Sequence, residues 1–317
     1  MRRWRSFLAA AAVCAAAMAA VAAVSRVALT ADTSSTGSFH PSPACMSTPG
    51  TPYLGVAALP PITTRVQSFA KATSIRPSVV EFYNPFGAPF QVREAQDAAG
   101  LGALPVVQLN PRRVSLEEIA AGKYDGYLRD YGNAVKDFQC KIVLSFGHEM
   151  NGSWYPWGCR HVSAPVFVAA WRHIVTVING TGARNVIWMW TTSSAAPGDC
   201  PLAARYPGDQ YVTWVGLDGY LRQPGTSFAS VFTPSLAQIR AVSRRPVLLS
   251  ETGVVVTTAG APDRIRDLFR GAASAPGVIG VVYFDAETGQ YGDYRPQDSA
   301  AALAAFRQAA AQYKPPH

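Results

Sequence analysis

The sequence predicts a (β/α)8 (TIM) barrel formed by a single domain. Short apolar runs alternate with longer amphipathic segments along the chain, which is the order of elements in a parallel α/β fold. Eight such runs fall within about 260 residues, the typical length of this kind of barrel. No Gly-rich phosphate loop follows any of the runs, which disfavours the alternative of an open doubly wound sheet.

The predicted strands are rich in β-branched residues and apolar on both faces. Parallel strands have this composition because helices cover both sides of the sheet that they form. The eight strands are predicted at Tyr53–Ala58, Ser78–Phe82, Leu104–Gln108, Lys141–Phe146, Asn185–Trp190, Trp214–Leu217, Val247–Ser250 and Ile279–Phe284.

Helical periodicity fills most of the gaps between these strands. Ser115 and Ser163 are suitable first residues, the second because Pro165 follows two positions later. The link after the fifth strand is irregular and no helix is predicted there. The predicted helices cover residues 62–72, 91–100, 115–138, 163–179, 233–243, 261–273 and 299–312.

The N-terminus has the pattern of an export signal, because several arginines precede an Ala/Val-rich run over residues 7–24. We expect residues 1–31 to be a signal peptide, cleaved after Ser25 or Ala31, or an uncleaved membrane anchor. Residues 32–52 are expected to form a flexible leader, and residues 53–313 the barrel domain. The barrel is therefore predicted to be secreted, and bound to a membrane only if the anchor is retained.

The net charge of +8 does not indicate a nucleic-acid partner. Four positive charges, Arg2, Arg3, Arg5 and Arg26, lie ahead of the first acidic residue and leave +4 for the rest. The rest of the chain contains no cluster of lysines or arginines to follow a phosphate backbone. Because 49% of the residues are hydrophobic, the chain can bury a large core. We expect a monomer.

Four cysteines remain after the signal segment: Cys45, Cys140, Cys159 and Cys200. An even number in an exported chain favours disulfides, and four cysteines allow three pairings. Cys45 and Cys140 precede the first and fourth predicted strands, whereas Cys159 and Cys200 follow the fourth and fifth. These positions lie at opposite ends of a barrel, so the predicted pairs are Cys45–Cys140 and Cys159–Cys200.

Two carboxyl groups stand at the ends of predicted strands. Glu149 follows the fourth strand within the aromatic-rich segment His148–Gly158, and Glu251 closes the seventh. The active site of a (β/α)8 barrel lies at this end of the strands. Apolar surroundings favour a protonated carboxyl group, and a pair of carboxyl groups is the minimum for cleaving a glycosidic bond. The pattern predicts a glycoside hydrolase.

The segment His148–Gly158 also resembles glycoside hydrolase family 26, best known for β-mannanases. Further segments that carry the resemblance are Tyr124–Tyr127, Tyr206–Asp209, Trp214–Tyr220 and Pro246–Gly253. The resemblance extends over essentially residues 53–313. It implies a retaining barrel enzyme that hydrolyses β-mannan or a related β-glycan.

The resemblance implies a role for each of seven residues. Glu149 would be the general acid/base and Glu251 the nucleophile. His148 and Trp154 would line the cleavage subsite, Asp218 and Tyr220 would flank the nucleophile, and Tyr283 would stand where the family places a ring platform. A tyrosine hydroxyl that donates to Glu251 would orient its carboxylate and keep it ionised.

Several of these residues have simpler interpretations. His148 could instead hold a backbone carbonyl, and one of Trp154, Tyr155 and Trp157 is expected to be purely structural. Trp188 and Trp190 share one face of the fifth strand, where core packing is as reasonable as sugar contact.

The chain also departs from the family pattern. Ser145 stands where an arginine is usual, Tyr283 stands where a tryptophan is usual, and the third strand ends in Gln108-Leu109-Asn110 without the usual histidine. These changes spare both carboxyl groups and affect the subsites, so the sugar is less well predicted than the reaction.

The predicted substrate is β-1,4-mannan, with β-1,3-xylan, mixed-linkage β-glucan or a polymer of the producer's own envelope as alternatives. A non-catalytic carbohydrate-binding barrel is disfavoured because binding does not need two opposed carboxyl groups. No cofactor or metal is expected. With the terminal His40 and His317 set aside, His148, His161 and His173 have no recognisable ligand spacing.

Overall fold

The computed structural model describes residues 41–195 and 200–314. Eight parallel strands follow one another around a closed barrel, and β8 pairs with β1 to close it. The (β/α)8 prediction is confirmed. The predicted signal or anchor lies outside the described residues. The strands are β1 Tyr53–Ala57, β2 Val79–Pro85, β3 Leu104–Asn110, β4 Ile142–Phe146, β5 Val186–Ser193, β6 Trp214–Leu221, β7 Val247–Val254 and β8 Val278–Phe284.

Helices surround the barrel, and none of those within the described residues is long and apolar enough to cross a membrane. Between β5 and β6 the described residues contain only a short 3₁₀ turn, Ala203–Arg205. The α-helices are α1 Ile62–Thr73, α2 Val92–Gly100, α3 Leu116–Ala120, α4 Asp125–Phe138, α5 Ala164–Gly180, α6 Phe228–Val242, α7 Ala261–Ser274 and α8 Ala300–Gln312.

Two helices differ from the sequence prediction. The helix predicted over residues 115–138 is divided into α3 and α4, because Gly122 has a φ of +83° and interrupts the helical backbone. Helix α6 begins at Phe228, earlier than predicted, because Ser227 and Ser230 form a reciprocal capping box there.

The strands separate two apolar cores. One fills the lower part of the barrel, with Tyr53, Val106, Met189 and Leu248 pointing inward. The other lies between the strands and the helices, where Trp188 packs on Trp171. Trp190 lies on the same outward face of β5. Both tryptophans therefore pack in the core rather than facing the interior.

Five strands continue beyond their predicted ends, always in the C-terminal direction. The added residues include Tyr83 on β2, Asn110 on β3, Ser193 on β5 and Tyr220 on β6. Sequence reasoning ends a strand where the apolar pattern stops. Here the backbone pairing continues while the inward positions become polar, so the barrel is apolar at one end and polar at the other.

The disulfide Cys45–Cys140 lies at the N-terminal face of the barrel, with its Cα atoms 4.8 Å apart. This predicted pairing is confirmed. The carbonyl of Cys45 also accepts from the amide of Lys141 at 2.7 Å. On the same face the ends of α1 and α8 meet, because Arg307 Nε donates to the carbonyl of Ala72 at 2.9 Å.

Candidate active site

Glu149 is positioned by an unusual backbone at the end of β4. Its φ is 53° and that of Gly147 is 58°, both in the left-handed region. For a residue with a side chain this conformation costs roughly 1–2 kcal/mol. Such strain is concentrated at functional sites. The amide of Glu149 donates to the carbonyl of Thr191 on β5 at 3.0 Å, which holds the strained turn in place.

Asn151 fastens the loop after Glu149 to the end of β5. Its Nδ2 donates to the carbonyl of Ser193, and its Oδ1 accepts from the amide of Ser193, both at 2.8 Å. The buried side chain thus pairs with Ser193 as a neighbouring strand would. The amide side chain supplies both the donor and the acceptor, as a backbone peptide group does.

Trp154 contacts the carboxyl group directly. Its Nε1 donates to Oε2 of Glu149 at 2.8 Å. The indole ring lies against Gly152, where a Cβ atom would overlap with it. Trp154 is half-buried, so part of the ring remains accessible beside Glu149.

A disulfide joins the loops that follow β4 and β5. Cys159 and Cys200 have Cα atoms 5.9 Å apart, and this predicted pairing is confirmed. Arg205 strengthens the same region, since its Nη2 donates to the carbonyl of Val162 at 2.6 Å and to that of Cys159 at 3.2 Å. The aromatic loop after β4 is therefore attached at two separate places, to the end of β5 through Asn151 and to the loop after β5 through Cys159.

His148 is buried, with 1% of its surface exposed. Its Nδ1 pairs with Oδ1 of Asn110 at 2.8 Å and its Nε2 with the hydroxyl of Tyr155 at 3.2 Å. Burial, and after it the charge of Arg112, lower the pKa of His148 to about 3. The ring is therefore neutral and links the ends of β3 and β4, while its contact with a sugar stays a prediction.

Trp157 supports this arrangement from below. It is fully buried, stacks on Tyr155 with ring centroids 4.3 Å apart, and donates from Nε1 to the carbonyl of His148 at 2.7 Å. Among the three aromatic residues of the loop, Trp157 has the purely structural position.

Glu251 lies within β7 and is held from another strand. Its Oε1 accepts from the hydroxyl of Tyr83 on β2 at 2.6 Å. The register between β7 and β8 shifts between Leu249 and Thr252. Such an irregularity re-aims the side chains around it, and here it accompanies the change from apolar to polar side chains.

The environment of Glu251 contains opposing influences. Burial, and then the charge of Glu149, raise the pKa of Glu251 to about 7, whereas hydrogen bonds from Tyr83 and Tyr220 and the charge of Arg222 act in the other direction. Because the charge of Glu149 reaches Glu251, the two carboxyl groups cannot both ionise without mutual repulsion. The charge of Glu149 therefore favours the protonated form of Glu251.

The structure places Asp218 and Tyr220 beside Glu251. Asp218 is fully buried, pairs in register with Glu251, and accepts at Oδ1 from Ser250 Oγ at 2.6 Å. Burial, and then the charge of Glu251, raise the pKa of Asp218 well above its ordinary range. Tyr220 occupies the next position on the same side of β6 and is half-buried.

Sequence reasoning missed Glu81 and Tyr83 on β2. Glu81 is fully buried, and burial followed by the charge of Glu251 raises its pKa well above the ordinary range. One signal was present in the sequence, because Glu81 interrupts an apolar run and period-two alternation puts Tyr83 on the same face. The predicted strand ended at Phe82, one residue before the hydroxyl that contacts Glu251.

Tyr283 does not face the cleft. Val282 and Phe284 pack inside the barrel, and Tyr283 between them points outward. It is fully buried there, with its ring 4.9 Å from that of Phe306 on α8 and its hydroxyl accepting from the amide of Val254 at 3.2 Å. The prediction that Tyr283 forms a ring platform is therefore wrong. The sequence could not reveal this, because a uniformly apolar strand does not show which of its residues point inward.

Residues 41–195 and 200–314 contain no group of three or more His, Cys, Asp or Glu side chains that could hold a metal ion. The side chains that meet around Glu251 are carboxyl groups and tyrosine hydroxyls. A barrel with a carboxyl group after β4 and another on β7, flanked by an indole and two phenols, indicates the glycoside hydrolase class.

Comparison with known proteins supports this class. The model of glycosyl hydrolase family 26 matches residues 124–253, which include both Glu149 and Glu251. Endoglucanase H of Acetivibrio thermocellus is 27% identical over 266 residues, covering 78% of this chain and 29% of that protein. A mannan endo-1,4-beta-mannosidase of Bifidobacterium adolescentis is 30% identical over 119 residues, covering 34% of this chain and 12% of that protein.

The chain thus spans less than a third of either relative. Among solved structures, a modular endo-beta-1,4-mannanase from Cellulomonas fimi has a similar fold, with a TM-score of 0.65 at 17% identity, covering 83% of this chain and 71% of that one. The similarity to glycosyl hydrolase family 26 is thus carried by residues 124–253, and the barrel as a whole resembles the mannanase structure in fold.

Proposed function

We propose that this chain is a retaining endo-β-glycanase in which Glu251 is the nucleophile and Glu149 the general acid/base. One observation carries the proposal: two buried carboxyl groups stand at the same end of the barrel, where Glu149 accepts from Trp154 Nε1 at 2.8 Å and Glu251 from the Tyr83 hydroxyl at 2.6 Å. A retaining enzyme needs such a pair, with one carboxyl group protonated and the other ionised.

In the first step a carboxylate oxygen of Glu251 attacks the anomeric carbon. A bond forms between that oxygen and the anomeric carbon while the bond to the glycosidic oxygen breaks. The proton of Glu149 moves to the departing oxygen, so the leaving sugar is released as an alcohol. Tyr83, which donates to Glu251 at 2.6 Å, holds the attacking carboxylate in one orientation.

In the second step a water molecule attacks the same carbon from the side that the leaving group has vacated. Glu149, now ionised, accepts a proton from this water, and the bond to Glu251 breaks. Both carboxyl groups return to their starting states. Two inversions at one carbon give net retention of configuration.

We propose β-1,4-mannan as the substrate. The match of residues 124–253 to the family model and the similarity to a mannan endo-1,4-beta-mannosidase support it. A β-glucan is the second candidate, because the alignment with endoglucanase H extends over 78% of this chain, far more than the mannosidase alignment.

A panel of polysaccharides with detection of new reducing ends tests the reaction and the substrate together. Mannan, mixed-linkage β-glucan, β-1,3-xylan and carboxymethylcellulose are sufficient. We expect the largest yield of new ends from mannan, and a β-anomer as the first product seen by NMR. A first product of α-configuration would overturn the assignment of Glu251 as nucleophile.

The chain is proposed to act outside the cytoplasm. Its two disulfides are the observation in favour, since disulfides persist in oxidising compartments. Mass mapping of the protein recovered from the producer's medium and membranes would test this, together with the cleavage after Ser25 or Ala31.

A further inference from the structure

Arg222 follows directly after β6 and lies beside the carboxyl pocket. Its guanidinium carbon is 4.7 Å from the centroid of the Tyr220 ring. This is within the distance at which a cation is attracted to an aromatic face. Tyr220 in turn hydrogen-bonds to Glu251. The three residues therefore form a sequence of contacts that leads from a cation, through a phenol, to a carboxyl group.

Tyr294, from the segment after β8, holds Arg222 in this position. Arg222 Nε donates to the hydroxyl of Tyr294 at 3.0 Å, and that hydroxyl donates to the carbonyl of Tyr291 at 3.3 Å. The Tyr294 ring is fully buried and lies 5.0 Å from the Tyr220 ring. A Cβ atom at Gly253 would be 2.9 Å from this ring, so the glycine leaves room for it.

The groups that act on Glu251 come from three parts of the barrel. Most of them are carboxyl groups or hydroxyls, and Arg222 supplies a positive charge that opposes the carboxyl groups. They are Glu81 and Tyr83 on β2, Glu149 after β4, and Asp218, Tyr220 and Arg222 on or directly after β6.

We infer that Arg222 is a positioning residue for the nucleophile Glu251. From behind the phenol ring, Arg222 orients Tyr220 and keeps Glu251 anionic. The inference rests on the proposed function of Glu251. It extends that function to Arg222, a residue to which the family resemblance assigned no role.

Two physical effects support this role. A positive charge near a carboxyl group favours its ionised form, and only the ionised form of Glu251 can attack a sugar carbon. A cation on the ring face also withdraws electron density from the phenol, so the Tyr220 hydroxyl becomes a stronger donor to the carboxylate. Both effects favour the same charge state of Glu251.

The first test measures the charge state of Glu251 without turnover. The protein is labelled with ¹³C at glutamate carboxyl carbons, and the Glu251 signal is assigned by its loss in Glu251→Gln. We expect Arg222→Gln to raise the titration midpoint of Glu251 by about one pH unit. Arg222→Lys, which keeps the charge but not the planar fork, should restore part of this shift.

Arg172→Gln is a matched control. Arg172 also lies over a tyrosine ring, 5.3 Å from the centroid of Tyr211, and its Nε donates to the carbonyl of Pro207 at 2.8 Å. The Arg172→Gln substitution should leave the titration midpoint of Glu251 unchanged. Tyr294→Phe keeps the buried ring and removes only the hydroxyl that holds Arg222, so it should give a smaller shift in the same direction and serves if Arg222→Gln does not fold.

The second test is kinetic. The acidic limb of the pH profile of kcat/KM should move upward in Arg222→Gln by the same amount as the NMR midpoint. A loss of activity that is equal at every pH, with an unchanged midpoint, would show a merely structural role and overturn the inference. If no polysaccharide is hydrolysed by the unmodified protein, the proposed function fails, whereas the NMR titration still decides how Arg222 acts on Glu251.

Discussion

The two carboxyl groups of the cleft are positioned in different ways. Glu149 is held by its own loop: Trp154, which donates to it, lies only five residues later in the chain. Glu251 is held by Tyr83, 168 residues away in the sequence. The first arrangement needs one loop to fold correctly, whereas the second needs the whole barrel to close.

This difference has a consequence for how each group can fail. The loop of Glu149 is strained, and it is fastened to β5 by Asn151 and to the loop after β5 by the disulfide at Cys159. The structural effect of a substitution in this loop should therefore remain local. The surroundings of Glu251 consist of several buried polar groups, so a single change there should alter the charge of the pocket.

The largest expected effect separates the two chemical roles. Glu251→Ala should lower kcat by at least ~10³-fold on every substrate, because no covalent intermediate can form. Glu149→Ala should lower kcat on polysaccharide by ~10²–10⁴-fold, the usual contribution of a general acid or base. Initial rates on mannan measure both.

An activated aryl glycoside distinguishes the variants further. Its leaving group needs no proton, so Glu149→Ala should retain a rapid first step, and added azide should restore the second by replacing the water that needs a base. Neither the activated leaving group nor added azide should restore the activity of Glu251→Ala. Recovery of Glu251→Ala rather than Glu149→Ala under these conditions would reverse the two roles.

The next effect concerns the long-range support of Glu251. Tyr83→Phe removes a hydrogen bond that favours the ionised carboxylate, so the pKa of Glu251 should rise. The acidic limb of kcat/KM should move upward and the rate below pH 7 should fall by about tenfold, the effect of losing one hydrogen bond to a charged group. Tyr127→Phe is the control, since its hydroxyl donates to the carbonyl of Ala88 instead. Equal effects of the two variants would contradict the comparison.

The two disulfides lie at opposite ends of the barrel, so removing each in turn compares the two ends. They close 41 and 95 residues, which corresponds to roughly 4 and 5 kcal/mol of stabilisation if the effect is entropic. Replacing Cys159 and Cys200 by serine should raise KM, because the aromatic loop loses one attachment. Replacing Cys45 and Cys140 should lower stability without changing KM. Denaturant unfolding and steady-state kinetics measure the two outcomes, and a KM change only in the second variant would refute this division.

The last expected effect is on stability and depends on pH. Burial and Glu149 raise the pKa of Glu251 from 4.5 to about 7, so the folded protein binds this proton more tightly than the unfolded chain does. The stabilisation from that proton is complete below about pH 4.5 and is lost as the pH rises through 7. Glu251→Gln, which needs no proton, should be more stable than the unmodified protein above pH 7, by at most ~3 kcal/mol.

This advantage should disappear at pH 4. Glu117→Gln is the control: Glu117 is exposed, and a hydrogen bond from Ser115 lowers its pKa, so the sign is opposite. Urea unfolding at pH 4, 6 and 8 gives the comparison. A Glu251→Gln variant that is less stable at pH 8 would show that the carboxylate is stabilised in the pocket.

The same contrast between local and long-range support explains what sequence reasoning recovered. The barrel, both disulfides and the region around Glu149 follow from patterns within short segments, such as apolar runs and an aromatic-rich loop. Tyr83 and Glu81 act on a residue of another strand, and their position inside the barrel depends on how far β2 continues beyond its apolar part. The one local signal, a glutamate within an apolar run, does not show how far β2 continues.

Tyr283 shows a second limit. Strand β8 is apolar on both faces, so period-two alternation defines two sets of residues without showing which set faces the interior. Only the closure of β8 on β1 fixes this choice. On β5 the alternation correctly placed Trp188 and Trp190 on one face, and closure again decided that this face is the outer one.

The contacts on the N-terminal face of the barrel also determine how the domain can be displayed. Cys45 is bonded to Cys140 at the start of β4, and Arg307 of α8 binds the end of α1, so the chain enters and leaves the domain at the face opposite the carboxyl groups. A solid support or a neighbouring module that is coupled at either point is therefore separated from the cleft by the full height of the barrel. Under the proposed function, a polymer bound at the face of the carboxyl groups would not meet the attachment.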